Sequence, residues 1–312
     1  MLSKQEREER RQKRDADIDA KLDELRAQIR RLTALHGRPH DRLELLLRAA
    51  ASKRGRRVPV AQGMPAIEVA GVTFTFPDDL GDAGSLSARL RDGWLPYDDL
   101  AIVRQFVVGG VMLDIGANIG TTSIPRALLG DFQRIYAAEP NSDNFRALRS
   151  NIDANGLDGV IHADEVAISI TSGTVRMRRA RSIGGHRIDP NGTDQVRCLP
   201  VDAWLDGLGV DDNDVAFVKV DAQGWDFDVM LSAPTLIAQR RAFWQIEVHP
   251  GLMSAAGRTV DELVAFLKTN FTHAVELAGY ARRPLSSTQG LELLLEPLSR
   301  RPFVNLLLFN AS

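Results

Sequence analysis

The central motif of this chain is Val111-Met112-Leu113-Asp114-Ile115-Gly116-Ala117-Asn118-Ile119-Gly120. An apolar run that ends in a carboxylate and two closely spaced glycines predicts a buried strand that turns sharply into a helix. Glycines let the backbone approach a ligand closely, and the first turn of the following helix presents N–H groups that lack helical partners. The motif therefore predicts a ligand-binding turn at the end of a central strand.

The segments after this turn alternate between strand and helix patterns. Apolar runs predict strands at 111–115, 133–138, 160–168, 215–220, 242–248, 273–277 and 302–309. Helical patterns lie between them at 120–129, 141–155, 227–239 and 260–268. Strand-helix-strand units give parallel strands with right-handed crossovers and place ligands at the carboxyl ends of the strands. We therefore expect an α/β fold with a seven-stranded sheet, in which the last strand inserts antiparallel.

The region before this core has a different composition. Residues 4–35 are rich in charged side chains and carry apolar residues at heptad spacing, namely Ile18, Leu22, Leu25, Ile29 and Leu32. This spacing predicts a short coiled coil that supports self-association or partner docking, with a helix packed on its own domain as the alternative. The predicted organisation is a charged helix at 1–36, a basic linker at 37–60, a small β-rich region at 61–100 and a catalytic domain at 101–312.

Charge and cysteine content argue against several protein classes. Residues 1–57 hold 17 Lys/Arg and 10 Asp/Glu, whereas the remainder holds 22 and 31, so the main domain is acidic. An acidic domain argues against nucleic-acid binding. The single cysteine, Cys198, permits no internal disulfide, and no apolar run reaches the roughly 20 residues needed to span a bilayer. We expect a cytoplasmic protein without a transmembrane segment.

Three side chains around the turn favour S-adenosylmethionine over a dinucleotide. Asn118 stands where the dinucleotide pattern G-x-G-x-x-G has its middle glycine. Asp114 would repel a pyrophosphate but suits a ligand that carries an amine and a sulfonium. Glu139, at the end of the next strand, can accept hydrogen bonds from both ribose hydroxyls. A nicotinamide-dependent oxidoreductase is the disfavoured enzymatic alternative.

Over about residues 90–250 the chain resembles the FkbM-type methyltransferases. The matching blocks are Asp114 to Gly120, Glu139-Pro140, Asn151-Ile152, Val201-Asp202, Lys219-Val220-Asp221-Ala222-Gln223-Gly224 and Glu247. The resemblance implies a class I, Rossmann-like, S-adenosylmethionine-dependent fold and O-methylation of a hydroxyl, often on a sugar or a polyketide. The cofactor-binding candidates are Asp114, Gly116, Ala117, Asn118 and Gly120 for methionine, Glu139, Pro140 and Asn141 around the ribose, and Asp164, Glu165 and Val166 for adenine.

The chain departs from this family at two positions. Gln223 stands where a carboxylate is usual, and Trp225 stands where a small residue is usual. If the family carboxylate ionises during catalysis, that function is missing here. If it only holds a loop by hydrogen bonds, Gln223 can replace it, and Asp226 partly restores the charge.

Methyl transfer to a hydroxyl needs a group that accepts the proton, and the later strand ends supply candidates. Asp221 is the first candidate base and His249 the second, while Lys219 alternates with Asp221 and can face the same side. Glu247 is a further catalytic candidate. A capping role for His249, and structural roles for Asp221 and Glu247, are the alternatives. A divalent ion at Asp221, Glu247 and His249 is not favoured, and no Cys/His spacing indicates zinc.

Arginines cluster in the hairpin that follows the third strand, at positions 176, 178, 179, 181 and 187. They fit either a solvated edge strand or a grip on an anionic acceptor, such as a phosphorylated or nucleotide-linked glycan. The substrate-binding candidates are Arg179, Arg181, His186 and Gln223. The expected function is O-methylation of a glycan or secondary metabolite, with a non-catalytic coiled-coil scaffold as the non-enzymatic alternative.

Overall fold

The computed structural model describes residues 56–61, 64–69, 71–76, 86–91, 95–180, 184–277, 281–285, 290 and 295–310. The coiled coil predicted at 1–36 lies outside these residues, as does Arg181. No helix in the described part of the chain is both long and apolar enough to cross a membrane.

The described strands and helices follow one another with short connections. The strands are β1 (Arg56–Ala61), β2 (Met64–Val69), β3 (Val72–Thr75), β4 (Val111–Ile115), β5 (Arg134–Ala138), β6 (Ile161–Asp164), β7 (Ala167–Ile168), β8 (Gly173–Arg178), β9 (Arg187–Ile188), β10 (Asp194–Leu199), β11 (Val215–Val220), β12 (Phe243–Val248), β13 (His273–Glu276), β14 (Ala281–Pro284) and β15 (Val304–Phe309). The helices are α1 (Leu86–Arg91), α2 (Tyr97–Phe106), α3 (Ser123–Leu129), α4 (Ser142–Ala154), α5 (Val201–Leu208), α6 (Asp226–Leu231), α7 (Pro234–Gln239), α8 (Pro250–Ala255) and α9 (Val260–Asn270).

The central sheet has eight described strands in the order β14-β13-β15-β12-β11-β4-β5-β6. The predicted parallel core is confirmed, and β15 inserts antiparallel between β12 and β13. Strand β14, which pairs with β13, adds an edge strand that the pattern did not predict. All five residues of β4 are buried, because a central parallel strand is covered on both faces.

Two predicted elements are each divided. The strand predicted at 160–168 leaves the central sheet after Asp164, and its last two residues, β7, pair with β10 in a smaller sheet of order β7-β10-β8-β9. The helix predicted at 227–239 is broken into α6 and α7 before Pro234. Proline disfavours helical backbone at the preceding residue, and Ala233 has φ −120° and ψ 49°.

An antiparallel sheet of β1, β2 and β3 precedes the core. Residues 56–60, which the sequence places at the end of the linker, belong to β1. The sheet is tied to α4 by the buried Asn151, which accepts a hydrogen bond from Thr75 N–H at 2.5 Å and donates to Thr75 O at 3.1 Å. Asn151 also donates to Ile119 O at 2.8 Å, so the same side chain supports the glycine turn.

Candidate active site

A cavity of about 430 Å³ lies where the glycine turn meets the carboxyl ends of β5, β11 and β12. Its volume falls in the range of small-molecule sites. The predicted residues that line it are Gly116, Ala117, Asn118, Glu139, Pro140, Val166, His186, Lys219, Asp221, Gln223 and Glu247. The cavity therefore brings together candidates from both the cofactor and the acceptor groups.

The glycine turn is held against the strand that carries Asp221. Gly116 has φ 74°, and a Cβ on it would lie 2.0 Å from Asp221 O, so only glycine fits. Asn118 also adopts a left-handed backbone, with φ 54°, and its Oδ1 accepts from Ile119 N–H at 2.7 Å. Gly120 does not line the cavity, and a Cβ on it would lie 2.8 Å from Ile124 Cδ1 and 2.9 Å from Leu148 Cδ1.

Asp114 occupies a different place from the one predicted. Its side chain is fully buried, does not line the cavity, and accepts a hydrogen bond from the Ser123 hydroxyl. Lys219, adjacent on β11, places its Nζ 3.1 Å from Asp114 Oδ1 and donates to Gly116 O at 2.9 Å. Burial opposes the charge of Lys219, but Asp114 and Asp221 outweigh burial, so the pKa of Lys219 is raised. This placement does not support the predicted direct contact of Asp114 with a ligand. Asp114 instead acts on the cavity through Lys219.

Glu139 lies at the end of β5 and faces the cavity. Its Oε2 accepts from Asn118 N–H at 2.8 Å, and its Oε1 accepts from Asn141 N–H at 2.9 Å. Burial raises the pKa of Glu139 to about 7, although these two hydrogen bonds and the charge of Lys219 act in the opposite direction. Each carboxylate oxygen keeps a further lone pair, so the group can still accept hydrogen bonds from a ligand.

The residues around Glu139 divide into two groups. Pro140 and Val166 line the cavity, whereas Asn141 caps α4 by accepting from Asp143 N–H and Asn144 N–H. Asp164 and Glu165 do not line it. Asp164 Oδ2 accepts from the Trp204 indole at 2.8 Å, and Glu165 accepts from the Ser142 hydroxyl. The predicted adenine segment thus contributes Val166, with the apolar Ala167 and Ile168 beside it.

Asp221 is the accessible carboxylate at the end of β11. Its side chain is 42% exposed, whereas that of Asp114 is fully buried. Gln223 Nε2 donates to Asp221 Oδ1 at 2.9 Å, and Lys219 Nζ lies 3.9 Å from Asp221 Oδ2. Gln223 reaches back in this way because its backbone is left-handed, with φ 53°. The amide therefore acts as a hydrogen-bonding side chain on Asp221.

Two further carboxylates lie beside Asp221. Asp226, at the start of α6, accepts from Ala222 N–H at 3.2 Å and from Glu247 N–H at 3.1 Å. Burial and the charge of Asp221 raise the pKa of Asp226 to about 7. Burial, followed by the charges of Asp221 and Asp226, raises the pKa of Glu247 to about 8. This raised pKa favours the neutral carboxyl form of Glu247, and in that form the group can donate a hydrogen bond.

His249 does not line the cavity. Its Nδ1 accepts from Leu252 N–H at 3.3 Å as the N-cap of α8, and its ring stacks on Phe303 with centroids 6.3 Å apart. The structure thus shows the capping role for His249 and does not support its predicted use as a second base. Within the described ranges, no group of three or more His, Cys, Asp or Glu side chains is arranged to hold a metal ion.

In the hairpin that carries the clustered arginines, the residues of β9 line the cavity and Arg179 does not. Arg179 does not line the cavity and pairs with Asp143 at 2.9 Å and with Asp194 at 2.5 Å. This placement does not support the predicted contact of Arg179 with the substrate. His186 lines the cavity, and its Nδ1 accepts from Ala180 N–H at 3.0 Å. The indole of Trp225 donates to Ile188 O at 3.1 Å and joins β9 to the turn that carries Asp221 and Gln223.

Several lining residues were not predicted. They are chiefly Arg89, Asp99, Thr121, Thr122, Asn144, Gln245, Phe303 and Asn305. Gln245 could have been found, because it alternates with Glu247 on one strand and so faces the same side. Arg89 and Asp99 lie on α1 and α2, where no motif points to them.

The sheet order, the antiparallel last strand and the cavity at the glycine turn define a class I methyltransferase fold. The model of the methyltransferase FkbM domain matches residues 114–280, which is more than half of the chain. The chain therefore belongs to the FkbM methyltransferase family. No curated protein matches the chain.

Solved structures with a similar fold are distant in sequence. The FkbM methyltransferase of Methylobacillus flagellatus KT is 16% identical over 64% of this chain and 44% of that chain, with a TM-score of 0.42. The chain thus spans less than half of that protein. The precorrin-6y C5,15-methyltransferase of Geobacter metallireducens is 13% identical over 76% of this chain and 93% of that chain, with a TM-score of 0.39. The TrmK of M. capricolum is 11% identical over 68% of this chain and 66% of that chain, with a TM-score of 0.37.

Proposed function

We propose that this protein transfers the methyl group of S-adenosylmethionine to a hydroxyl of a glycan or a secondary metabolite. The observation that carries the proposal is the pair of carboxyl groups, Asp221 and Glu247, at the ends of adjacent strands in the same cavity as the glycine turn. A hydroxyl acceptor needs a proton acceptor, and Asp221 supplies one. Membership in a methyltransferase family favours this proposal over a nicotinamide-dependent oxidoreductase.

The residues present fit the cofactor. Glu139 offers carboxylate oxygens to the ribose hydroxyls, and Val166 with Ile168 offers an apolar surface to the adenine. The turn from Gly116 to Asn118 lies between these groups and Asp221, where the methionine portion would lie. When bound, S-adenosylmethionine supplies an electrophilic methyl group on a sulfonium.

The residues of the chain then have separate tasks. Gln223 and Lys219 hold the Asp221 carboxylate in place, so that it would accept the proton of the acceptor hydroxyl. Glu247, whose pKa is raised by burial and by the neighbouring charges of Asp221 and Asp226, orients the acceptor by a hydrogen bond. Trp225 joins β9, whose residues line the cavity, to the turn that carries Asp221.

The lining around Asp221 supports a polar, ring-containing acceptor. Phe303 is 40% exposed and lines the cavity, where a ring can lie on its face. Asn305 adds an amide, and Arg187 adds a cation that suits a phosphorylated or nucleotide-linked glycan. Self-association through the N-terminal helix and a cytoplasmic location stay predictions.

Asp221→Asn is expected to spare the cofactor site and abolish turnover. The substitution keeps the size of the side chain but removes the proton acceptor, so methyl transfer should fall by about 100-fold or more. Calorimetry with S-adenosylhomocysteine measures binding, and transfer of a radiolabelled methyl group to a panel of hydroxylated glycans and metabolites measures turnover. Asp206→Asn, an exposed carboxylate outside the cavity, is the matched control. Failure of the folded wild type to bind S-adenosylmethionine would overturn the proposed function.

The affinity for S-adenosylhomocysteine is expected to depend on the ionisation of Glu139. Ribose hydroxyls donate to the carboxylate form, and the pKa of Glu139 in the free protein is raised to about 7 by burial. Affinity should be full above pH 7 and should fall up to about tenfold per pH unit below it, with release of a proton on binding. Calorimetry between pH 5.5 and pH 8.5 in two buffers of different ionisation enthalpy measures both effects. Glu139→Gln should bind weakly and without this pH dependence; an unchanged pH profile in that variant would contradict the assignment.

A further inference from the structure

One wall of the cavity has no role in the site described so far. It is formed by α1, α2 and the residue before α2, from which Leu86, Arg89, Asp99 and Pro96 line the cavity. These helices precede residue 114, where the family match begins. The wall brings a cation and an anion to the same cavity as the glycine turn.

Asp99 is held firmly at this wall. The fully buried Arg126 donates to Leu100 O at 3.0 Å and to Asp99 O at 3.4 Å, and it pairs with Asp131 at 3.0 Å. The carboxylate of Asp99 accepts from Gln245 Nε2 at 3.2 Å. The start of α2 is therefore fixed to the core through its backbone, and the Asp99 side chain is oriented by β12.

Gln245 presents a buried acceptor beside Asp99. Its side chain lines the cavity and is 8% exposed. Because a carboxylate only accepts, the bond to Asp99 identifies the amide nitrogen and thereby the position of Oε1. Oε1 is buried and has no hydrogen-bond partner. A buried acceptor in this state destabilises the site until a donor reaches it.

The amino-acid end of S-adenosylmethionine carries an ammonium group and a carboxylate, and both need partners. Asp114 is buried against Lys219 and does not line the cavity. Among the described carboxyl groups that do line it, Glu139 serves the ribose, while Asp221 and Glu247 serve the acceptor. Asp99 is the carboxylate that remains.

We propose that Asp99 and Gln245 bind the ammonium group of S-adenosylmethionine and that Arg89 binds its carboxylate. The inference deepens the proposed function and rests on it, because the ligand is the methyl donor. An ammonium has three donors, which suit the adjacent carboxylate and amide oxygens. The planar guanidinium of Arg89 presents a fork of donors that matches a carboxylate.

Two ligands separate this interaction from the rest of the site. S-adenosylhomocysteine has the amino-acid end, whereas 5′-methylthioadenosine keeps the adenosine and the thioether without it. In calorimetry with the full chain, the wild type should bind S-adenosylhomocysteine at least about tenfold more tightly than 5′-methylthioadenosine. Arg89→Met and Asp99→Asn should each lower the affinity for S-adenosylhomocysteine by about tenfold or more. The affinity of each variant for 5′-methylthioadenosine should stay within about twofold of the wild-type value. Gln245→Met should act in the same direction, and Arg89→Lys should recover part of the loss.

The matched controls are Arg149→Met and Asp158→Asn, which alter an exposed pair outside the cavity and should change neither affinity. Equal binding of the two ligands by the wild type, an equal loss of both ligands in the variants, or unchanged affinities would each overturn the inference. If the folded wild type binds neither ligand, the proposed function itself fails. The two failures are therefore distinguishable.

Discussion

Gly116→Ala is expected to abolish cofactor binding and to destabilise the fold. A Cβ at this position would lie 2.0 Å from Asp221 O and 2.9 Å from Asp221 C, so β4 and β11 would have to separate at the cavity. The left-handed backbone adds its own cost for a residue with a side chain. We expect the free energy of unfolding to fall by about 3 kcal/mol or more, and the affinity for S-adenosylhomocysteine to fall at least about 100-fold. Urea unfolding and calorimetry measure the two effects.

Gly130→Ala is the matched control for this substitution. Gly130 also has a left-handed backbone, with φ 67°, but nothing lies within 4 Å of a Cβ placed on it. It caps the carboxyl end of α3, away from the cavity. This variant should lose only about 1–2 kcal/mol and should bind S-adenosylhomocysteine normally. Equal effects of the two substitutions would show that the backbone conformation, rather than the contact with Asp221, explains the loss at Gly116.

Asp114→Asn is expected to destabilise the protein because it leaves the buried ammonium of Lys219 without its nearest carboxylate. The atoms lie 3.1 Å apart, and the two side chains are 0% and 9% exposed. Removing one partner of a buried pair costs about 3–5 kcal/mol, and Lys219→Met should have an effect of the same order. The free energy of unfolding in urea measures each change.

The double variant Asp114→Asn/Lys219→Met distinguishes this interpretation from direct ligand contact. With both charges removed, much of the stability should return, with a coupling of about 1–3 kcal/mol between the two sites. Additive losses would contradict the ion pair. Because Asp114 acts on the cavity through Lys219, the double variant should also bind S-adenosylhomocysteine within about tenfold of the wild type. A far larger loss of affinity in a stable double variant would restore the direct contact predicted from the sequence.

The central sheet was predictable because its signals are local. Apolar runs such as Val111–Ile115 indicate buried strands, and short links between strands and helices dictate parallel pairing. The breaks after Asp164 and at Pro234 were missed for different reasons. Proline is itself a local signal that the apolar pattern outweighed, whereas the exit of β7 depends on pairing with β10, which is more than twenty residues away.

The part of the candidate site that was predictable consists of residues at the carboxyl ends of parallel strands. Glu139, Asp221 and Glu247 each end a parallel strand, and parallel strands of one sheet bring their carboxyl ends to one edge. His249 also ends its strand, yet it turns away to cap α8. The position along a strand therefore identifies candidates, but the hydrogen bonds of the following turn determine which of them reach the cavity.

The glycine turn, the order of elements and the family follow from the chain's local pattern, because they depend on neighbouring residues and on periodicity. The partners of charged groups do not. Lys219 reaches Asp114 across 105 positions of sequence and Gln245 reaches Asp99 across 146, and such pairs form only when distant segments pack together. Electrostatic and hydrogen-bond partners depend on distances of a few ångströms that no spacing along the chain encodes. For this reason the tertiary structure moved Asp114 beneath the cavity and brought Asp99 into its wall.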